Sequence, residues 1–137
     1  AMNWLKRLLG MAPAAPSVTA TFRRESDGLY VLRIGGTLNK ATLDNVQSLG
    51  QRAIEAGARN LKVLLFLEDF RGWKRGDDWG DLDFFARHEA NVAKIAVVGD
   101  PRWEAETRLF LGAGRRHGEI RFFPEHFEGR ARIWLAE

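Results

Sequence analysis

Five apolar stretches along the chain have the lengths and spacings of β-strands. The first alternates apolar and polar residues, and the second has apolar residues on both of its faces. The turn Ser26-Asp27-Gly28 between them predicts an antiparallel hairpin. The third contains the unbroken apolar run Val63–Leu67, which is typical of a strand that helices cover on both faces. The predicted strands are Val18–Arg24, Leu29–Gly35, Leu61–Leu67, Ala93–Gly99 and Glu119–Phe123.

Helical periodicity fills the intervals between the later strands. Asn39 is predicted to cap a first helix, whose apolar face includes Leu43, Val46 and Ile54 and which ends at Gly57. The order ββαβαβαβα predicts an α/β fold: a mostly parallel five-stranded sheet with an antiparallel N-terminal hairpin, flanked by helices. The other predicted helices are Asp77–Glu89, Pro101 to about Ala113, and a closing helix that starts at Pro124 or Glu125 and directs Phe127, Ala131, Trp134 and Leu135 inward.

The chain divides into a short N-terminal segment, residues 1–16, and one domain, residues 17–137. Asn3–Met11 is a short basic amphipathic stretch, and Ala12–Pro16 is a linker. The stretch is predicted to contact a membrane surface or a partner, and the alternative is that it folds back onto its own domain. The predicted membrane-contact residues are Trp4, Leu5, Lys6, Arg7, Leu8 and Leu9.

Composition and charge restrict the function classes. The chain has 21 basic and 18 acidic residues and no cysteine. Basic and acidic residues are interspersed, so no nucleic-acid partner is expected. No apolar run is long enough to span a bilayer. The expected location is cytoplasmic, with a peripheral contact at the inner membrane surface if the N-terminal segment binds lipid.

The chain lacks the motifs of common catalytic and cofactor sites. Its three histidines lie on different predicted elements without ligand spacing, so no metal site is expected. The stretch Gly112–Gly118 resembles a dinucleotide loop, but its glycine spacing is wrong and it follows a helix. The aspartates between Asp69 and Asp83 fit helix caps and a solvated face. No catalytic residue, no metal and no cofactor is therefore predicted, and the protein is expected not to be an enzyme.

Aromatic residues concentrate after the third predicted strand. Glu68–Trp73 is predicted to be a charged loop at the carboxyl end of that strand, where open α/β folds bind ligands. The rings would line an apolar pocket between the second and third helices and the sheet, or form an exposed face for a partner, or simply fill the core. The predicted ligand-binding residues are Phe70, Trp73, Trp79, Phe85, Trp103 and Phe110.

Several short motifs follow one another in a recognisable order. They are Gly35-Gly36-Thr37-Leu38, Leu64–Asp69 with Phe70-Arg71-Gly72-Trp73, Lys94–Asp100 before Trp103, and Arg121-Phe122-Phe123 before Ala131 and Trp134-Leu135. With this series, which spans Phe22 to Leu135, the chain resembles the SpoIIAA-like family. That family is related to STAS domains and similar in shape to CRAL-TRIO lipid-binding domains.

The resemblance implies a mixed sheet with helices and no enzyme activity. In phosphorylatable STAS antagonists a serine begins the helix after the third strand, but Glu68–Asp81 contains no Ser or Thr, so no phospho-switch is expected. The predicted function is therefore a non-enzymatic domain that binds an apolar, lipid-like ligand or a membrane surface. The alternative is a STAS-like protein–protein interaction regulator, which docks another protein or forms a homodimer through the aromatic face.

Overall fold

Helices cover both faces of a mixed β-sheet in the described part of the chain. The computed structural model describes residues 18–76, 91–111 and 119–137. Five strands form one sheet in the order β1-β2-β3-β4-β5. β1 is antiparallel to β2, and every other neighbouring pair is parallel, which confirms the predicted fold class. The strands are β1 (Thr19–Ser26), β2 (Leu29–Leu38), β3 (Leu61–Trp73), β4 (Val92–Val98) and β5 (Glu119–Phe123).

Three helices lie within the described residues, and we number them α1 (Lys40–Glu55), α2 (Glu104–Phe110) and α3 (Glu128–Ala136). A 3-10 turn, Pro101–Trp103, leads into α2. The predicted helix Asp77–Glu89 lies outside the described residues. So do Gly112–Gly118 and the N-terminal segment, residues 1–16.

The ends of α1 follow from single residues. The Asn39 side chain accepts a hydrogen bond of 2.8 Å from the backbone N–H of Thr42, which satisfies one of the free donors of the first turn. After Ala56 the chain adopts φ 103° at Gly57, a conformation that glycine reaches without a steric penalty. Both ends of the predicted helix are therefore confirmed.

The sheet separates two apolar layers. On one face α1 and α2 cover side chains that alternate along the strands, including Leu32, Val63, Leu65 and Ile95. On the other face α3 covers the remaining strand side chains, which are Val31, Leu64, Phe66, Ala96 and Val98. The helix contributes Ala131, Trp134 and Leu135 to this second layer. This two-sided burial explains why Val63–Leu67 is apolar at every position.

Two sequence predictions about strand ends are wrong. β2 does not end at Gly35 but continues to Leu38, and Glu68–Trp73 is not a loop but the second half of β3. Phe70 and Gly72 are buried in this half, and the charged residues Glu68, Asp69 and Arg71 are exposed. The backbone of this half keeps pairing with β2 while its side chains alternate between core and solvent. The charged residues that suggested a loop therefore lie on the solvent side of the strand.

The closing helix also differs from the prediction. It starts at Glu128, and Phe127 is its N-cap residue with 39% of its surface exposed, so Phe127 does not point inward. Ala131, Trp134 and Leu135 are buried as predicted. The third predicted helix begins at Pro101 as a 3-10 turn and becomes α-helical only at Glu104. Its predicted end at Ala113 lies outside the described residues.

Candidate functional site

The carboxyl ends of the parallel strands meet at one edge of the sheet, which we call the carboxyl edge. β2, β3, β4 and β5 all run toward it. β1 runs the opposite way and therefore starts there, with Thr19 paired to Gly35. In an open α/β sheet, the loops at this edge form the usual ligand site.

An irregularity in β3 shapes this edge. Ile34 pairs with Leu67 and Gly36 pairs with Phe70, so three steps along β3 match two along β2. Asp69 lies in this bulge with φ 50°, a left-handed conformation that aspartate tolerates better than most side chains. The extra residue turns the acidic side chains away from the core before the strand resumes at Phe70.

The bulge brings three strands into close contact around Gly35. A Cβ atom at Gly35 would lie 2.5 Å from the carbonyl oxygen of Glu68 and 2.8 Å from Oγ1 of Thr19. No side chain fits in that space, so glycine is required there. The start of β1 therefore lies against the same residue as the β3 bulge.

An open cleft of about 340 Å³ lies at the carboxyl edge beside the bulge. Its charged lining is mainly acidic, because four carboxylates face a single arginine. Apolar and aromatic side chains from β3, β4 and the 3-10 turn complete it. The lining residues are Phe66, Leu67, Glu68, Asp69, Phe70, Val98, Asp100, Arg102, Trp103 and Glu125.

Two of these four carboxylates have cationic partners. Glu68 forms an ion pair with Arg33, whose guanidinium also lies 4.2 Å from the centroid of the Phe66 ring. Asp100 accepts a hydrogen bond of 3.0 Å from the backbone N–H of Arg102 and lies 3.4 Å from the Nε of that arginine. Asp100 therefore serves mainly as the cap of the 3-10 turn.

The other two carboxylates of the cleft are Asp69 and Glu125. Across residues 18–76, 91–111 and 119–137, no ion pair or hydrogen bond engages either side chain, and both residues are exposed. Among the described residues, the cleft thus carries two uncompensated negative charges next to the half-buried ring of Trp103. Such a surface suits a cationic group with an apolar stem.

Four of the six predicted ligand-binding residues come together beside this cleft. Phe70 lies edge-on to Trp73 and Trp103, with ring centroids 5.2 and 5.1 Å apart. Trp73 stacks on Phe110 at 4.4 Å and donates a hydrogen bond of 2.9 Å from Nε1 to Glu106. Phe70 is 4% exposed and belongs to the core, and the other three rings are half-buried against it. Trp79 and Phe85 lie outside the described residues.

The apolar space next to these rings is small. A hollow of about 20 Å³ lies between β2, β3, α1 and α2, and one of about 30 Å³ lies near Phe22 and Ile54. Each has room for about one water molecule. The first hollow includes Thr107, which is 1% exposed and whose Oγ1 has no hydrogen-bond partner within the described part of the chain. Buried hydroxyls are usually satisfied, so this one marks an unusual position.

Sequence reasoning found the aromatic residues but missed most of the polar lining of the cleft. Asp100, Arg102 and Glu125 follow β4 and β5 directly, and Glu68 follows the apolar run of β3. Their position after parallel strands was the available signal, because such residues share one edge. No helix of the described residues is long and apolar enough to cross a membrane.

The sequence and the fold both have recognisable relatives. A family model described as SpoIIAA-like matches residues 29–136. An uncharacterised Shewanella loihica protein with a SpoIIAA-like fold superimposes with a TM-score of 0.67 at 22% identity, over 92% of this chain and 99% of that chain. Phosphorylated SpoIIAA, a Bacillus cell fate determinant, gives a TM-score of 0.55 at 13% identity, over 84% and 99%. No curated protein matches the chain. At these identities the solved structures show a common fold.

Proposed function

The chain belongs to the SpoIIAA-like family, and from this premise we propose that it is a protein-interaction domain without enzyme activity. The proposed docking site is the cleft at the carboxyl edge. The SpoIIAA-like STAS fold fits an interaction domain. The observation that carries the proposal is the open cleft itself, where two acids without a partner in the described part of the chain lie beside an aromatic wall.

The lining of the cleft matches the composition of interaction sites. Trp and Arg are enriched among the residues that contribute most to binding between proteins. Trp103 and Arg102 are adjacent here, and the guanidinium of Arg102 lies 5.1 Å from the centroid of the Trp103 indole. The cleft is open to solvent, so a loop or side chain of another protein can enter without a rearrangement of the sheet.

The charge of the cleft indicates the chemistry of the partner. Asp69 and Glu125 contribute two negative charges that no described cation neutralises. A partner that presents a basic segment would gain electrostatic attraction and a faster association. We therefore propose a partner with lysine or arginine at its contact surface.

Site-directed cross-linking in the host tests this proposal. A photo-reactive amino acid replaces Arg102 at the cleft, and in a control chain it replaces Arg59, which is exposed at the opposite edge of the sheet. We expect a discrete protein cross-linked from position 102 alone. Identical products from both positions, or none from position 102, would contradict the cleft as a docking site.

Charge variants of the purified pair then measure the contribution of the acids. Asp69→Asn/Glu125→Gln removes these two charges, and asparagine keeps the left-handed backbone accessible. Asp27→Asn/Glu55→Gln gives the same net charge at the opposite edge. The first pair should weaken binding about tenfold or more, and the second should leave it unchanged.

A second candidate is the binding of an apolar ligand or membrane lipid. The hydroxyl of Thr107, for which the described residues offer no partner, favours it. A polar ligand atom could satisfy that hydroxyl while the apolar part displaces Trp73 and Phe110, which are half-buried. Native mass spectrometry of the freshly purified protein tests this candidate. A bound lipid that is lost in Thr107→Val would support it, and a bare chain with the expected mass would count against it.

A further inference from the structure

The N-terminal segment of the chain and the cleft have complementary properties. We propose that the basic segment Asn3–Met11 docks in the carboxyl-edge cleft of its own domain and so competes with a partner for that site. The docking goes beyond the proposed function and does not depend on it. The competition rests on the proposed function, and different measurements test the two.

The first observation is the place where the segment joins the domain. β1 is the strand that starts at the carboxyl edge, and its first residue, Thr19, pairs with Gly35. Thr19 and Glu68 both approach the position that a Cβ of Gly35 would occupy. The chain before Val18 therefore joins the domain at the edge that carries the cleft, and not at the edge of the hairpin turn.

The second observation is that the linker is long enough for the segment to reach the cleft. β1 and β4 are separated by three strand spacings in the sheet order, which amounts to about 14 Å. Six residues lie between Met11 and Val18, and the seven extended steps from one to the other span up to about 25 Å. The Ala/Pro linker Ala12–Pro16 favours an extended conformation. The segment can therefore reach the cleft without any change in the sheet.

The third observation is charge complementarity. Lys6 and Arg7 supply two positive charges, and Asp69 and Glu125 supply two negative charges without partners in the described residues. Basic residues also occur near this edge, at Arg71, Lys74 and Arg75, but none of them lines the cleft. The cleft is thus the acidic side of the edge.

The shape of the cleft fits long basic side chains. Its volume of about 340 Å³ accommodates a few side chains but not a helix. Lysine and arginine can lay their hydrocarbon stems along an apolar wall while their charged ends reach carboxylates. Trp103 provides such a wall, and its indole can also attract a guanidinium. We place Lys6 and Arg7 in the cleft and the apolar side of the segment against its rim.

A spin label on the full chain tests the docking directly. The chain has no cysteine, so Gly10→Cys provides one attachment point, on the polar side of the segment. We expect the amide signals of Asp69, Asp100 and Arg102 to lose intensity. The amides of Asp27 and Gly28, at the opposite edge, should keep theirs. Uniform loss, or loss centred away from the cleft, would overturn the proposal.

Charge variants and a mixing experiment complete the test. Lys6→Glu/Arg7→Glu and Asp69→Asn/Glu125→Gln should each restore the amide signals of the cleft. The control Asp27→Asn/Glu55→Gln, with the same net charge as the cleft variant, should leave the broadening unchanged. An isotope-labelled chain without a spin label, mixed with a spin-labelled chain without isotope, reports contacts between molecules. Broadening in that mixture equal to the original would overturn docking within one chain.

Competition has its own readout. If the cross-linked partner binds the cleft, Lys6→Glu/Arg7→Glu should increase its affinity several-fold, because the segment no longer occupies the site. If the affinity of the partner is unchanged although the spin label broadens the cleft amides, the docking is established and the competition is overturned. Absence of any partner would overturn the proposed function while the spin-label result still decides the docking.

Discussion

The guanidinium of Arg132 in α3 binds the carboxylate of Glu25 in β1 through two hydrogen bonds, from Nη1 at 2.6 Å and from Nη2 at 3.0 Å. The two residues are 107 positions apart, so this contact joins the first strand of the sheet to its last helix. Arg132 also binds Glu128 one turn earlier, at 2.8 Å from Nε. The arginine is thus fixed by two carboxylates on different elements.

This contact predicts a pH dependence of stability. The hydrogen bond from Arg132 lowers the pKa of Glu25 below its ordinary value of 4.5. A carboxyl group whose pKa is lower in the folded than in the unfolded state stabilises the protein at pH values above its unfolded-state pKa. This contribution disappears as the pH falls through the folded-state pKa. Glu25→Gln should therefore be slightly less stable than wild type at neutral pH and equally stable well below pH 4.5. Urea unfolding at both pH values measures the difference, and a gap that persists in acid would contradict the assignment.

The aromatic cluster predicts unequal responses to truncation. Phe70→Ala should lower the free energy of unfolding by about 3–5 kcal/mol, because Phe70 is 4% exposed and lies in the core. Trp103→Ala should cost less, since Trp103 is only half-buried and lines the cleft. Urea unfolding, with titration of a hydrophobic fluorescent probe, compares the two variants. Equal losses, without saturable binding of the probe, would assign Trp103 to the plain core.

Replacement of Thr107 is expected not to lower stability in the way that loss of a buried hydroxyl usually does. Replacing a buried hydroxyl normally weakens a protein because its partner is left unpaired. Oγ1 of Thr107 has no partner within the described residues, so Thr107→Val should leave stability unchanged or raise it. Thermal unfolding of both proteins checks this outcome. A loss above about 1 kcal/mol would show that a water or a ligand satisfies the hydroxyl.

The absence of a phospho-switch remains a prediction from the sequence. Glu68–Asp81 contains no Ser or Thr, and the SpoIIAA structure that the fold matches was determined in the phosphorylated form. Incubation with host lysate and ATP, followed by phosphosite mapping, should find no phosphate between these residues. Stoichiometric phosphate on a flanking residue that alters partner binding would defeat the prediction.

Membrane contact by Trp4, Leu5, Lys6, Arg7, Leu8 and Leu9 also remains a prediction. Basic residues near an anionic surface contribute about 1 kcal/mol each, and salt reduces that attraction. The full chain should therefore sediment weakly with anionic vesicles at low salt. Lys6→Gln/Arg7→Gln should abolish the binding, and the control Arg52→Gln/Arg59→Gln should not.

Docking within the chain adds a second expectation for vesicles. Asp69→Asn/Glu125→Gln should bind them more tightly than Asp27→Asn/Glu55→Gln, because only the first frees the segment. Equal binding by these two variants, which have the same net charge, would separate the membrane contact from the cleft.

The sequence by itself determined the order of elements and much of their local structure. Asn39 and Gly57 marked the ends of α1, because capping and a left-handed backbone are properties of single residues. The apolar run Val63–Leu67 indicated a strand with helices on both faces, because burial on both sides removes alternation. Each of these features is visible within a few consecutive residues of the sequence.

Only the tertiary structure decided where β2 and β3 end and what the cleft contains. The sequence predicts that Glu68 and Asp69 begin a loop. In the structure β3 continues beyond them, because it pairs with β2 again after the bulge. No local pattern links Asp69, Asp100 and Glu125, and the register of three parallel strands gathers them at one edge. The physical reason is that backbone pairing joins residues about 30 positions apart, and no local pattern encodes which ones will meet.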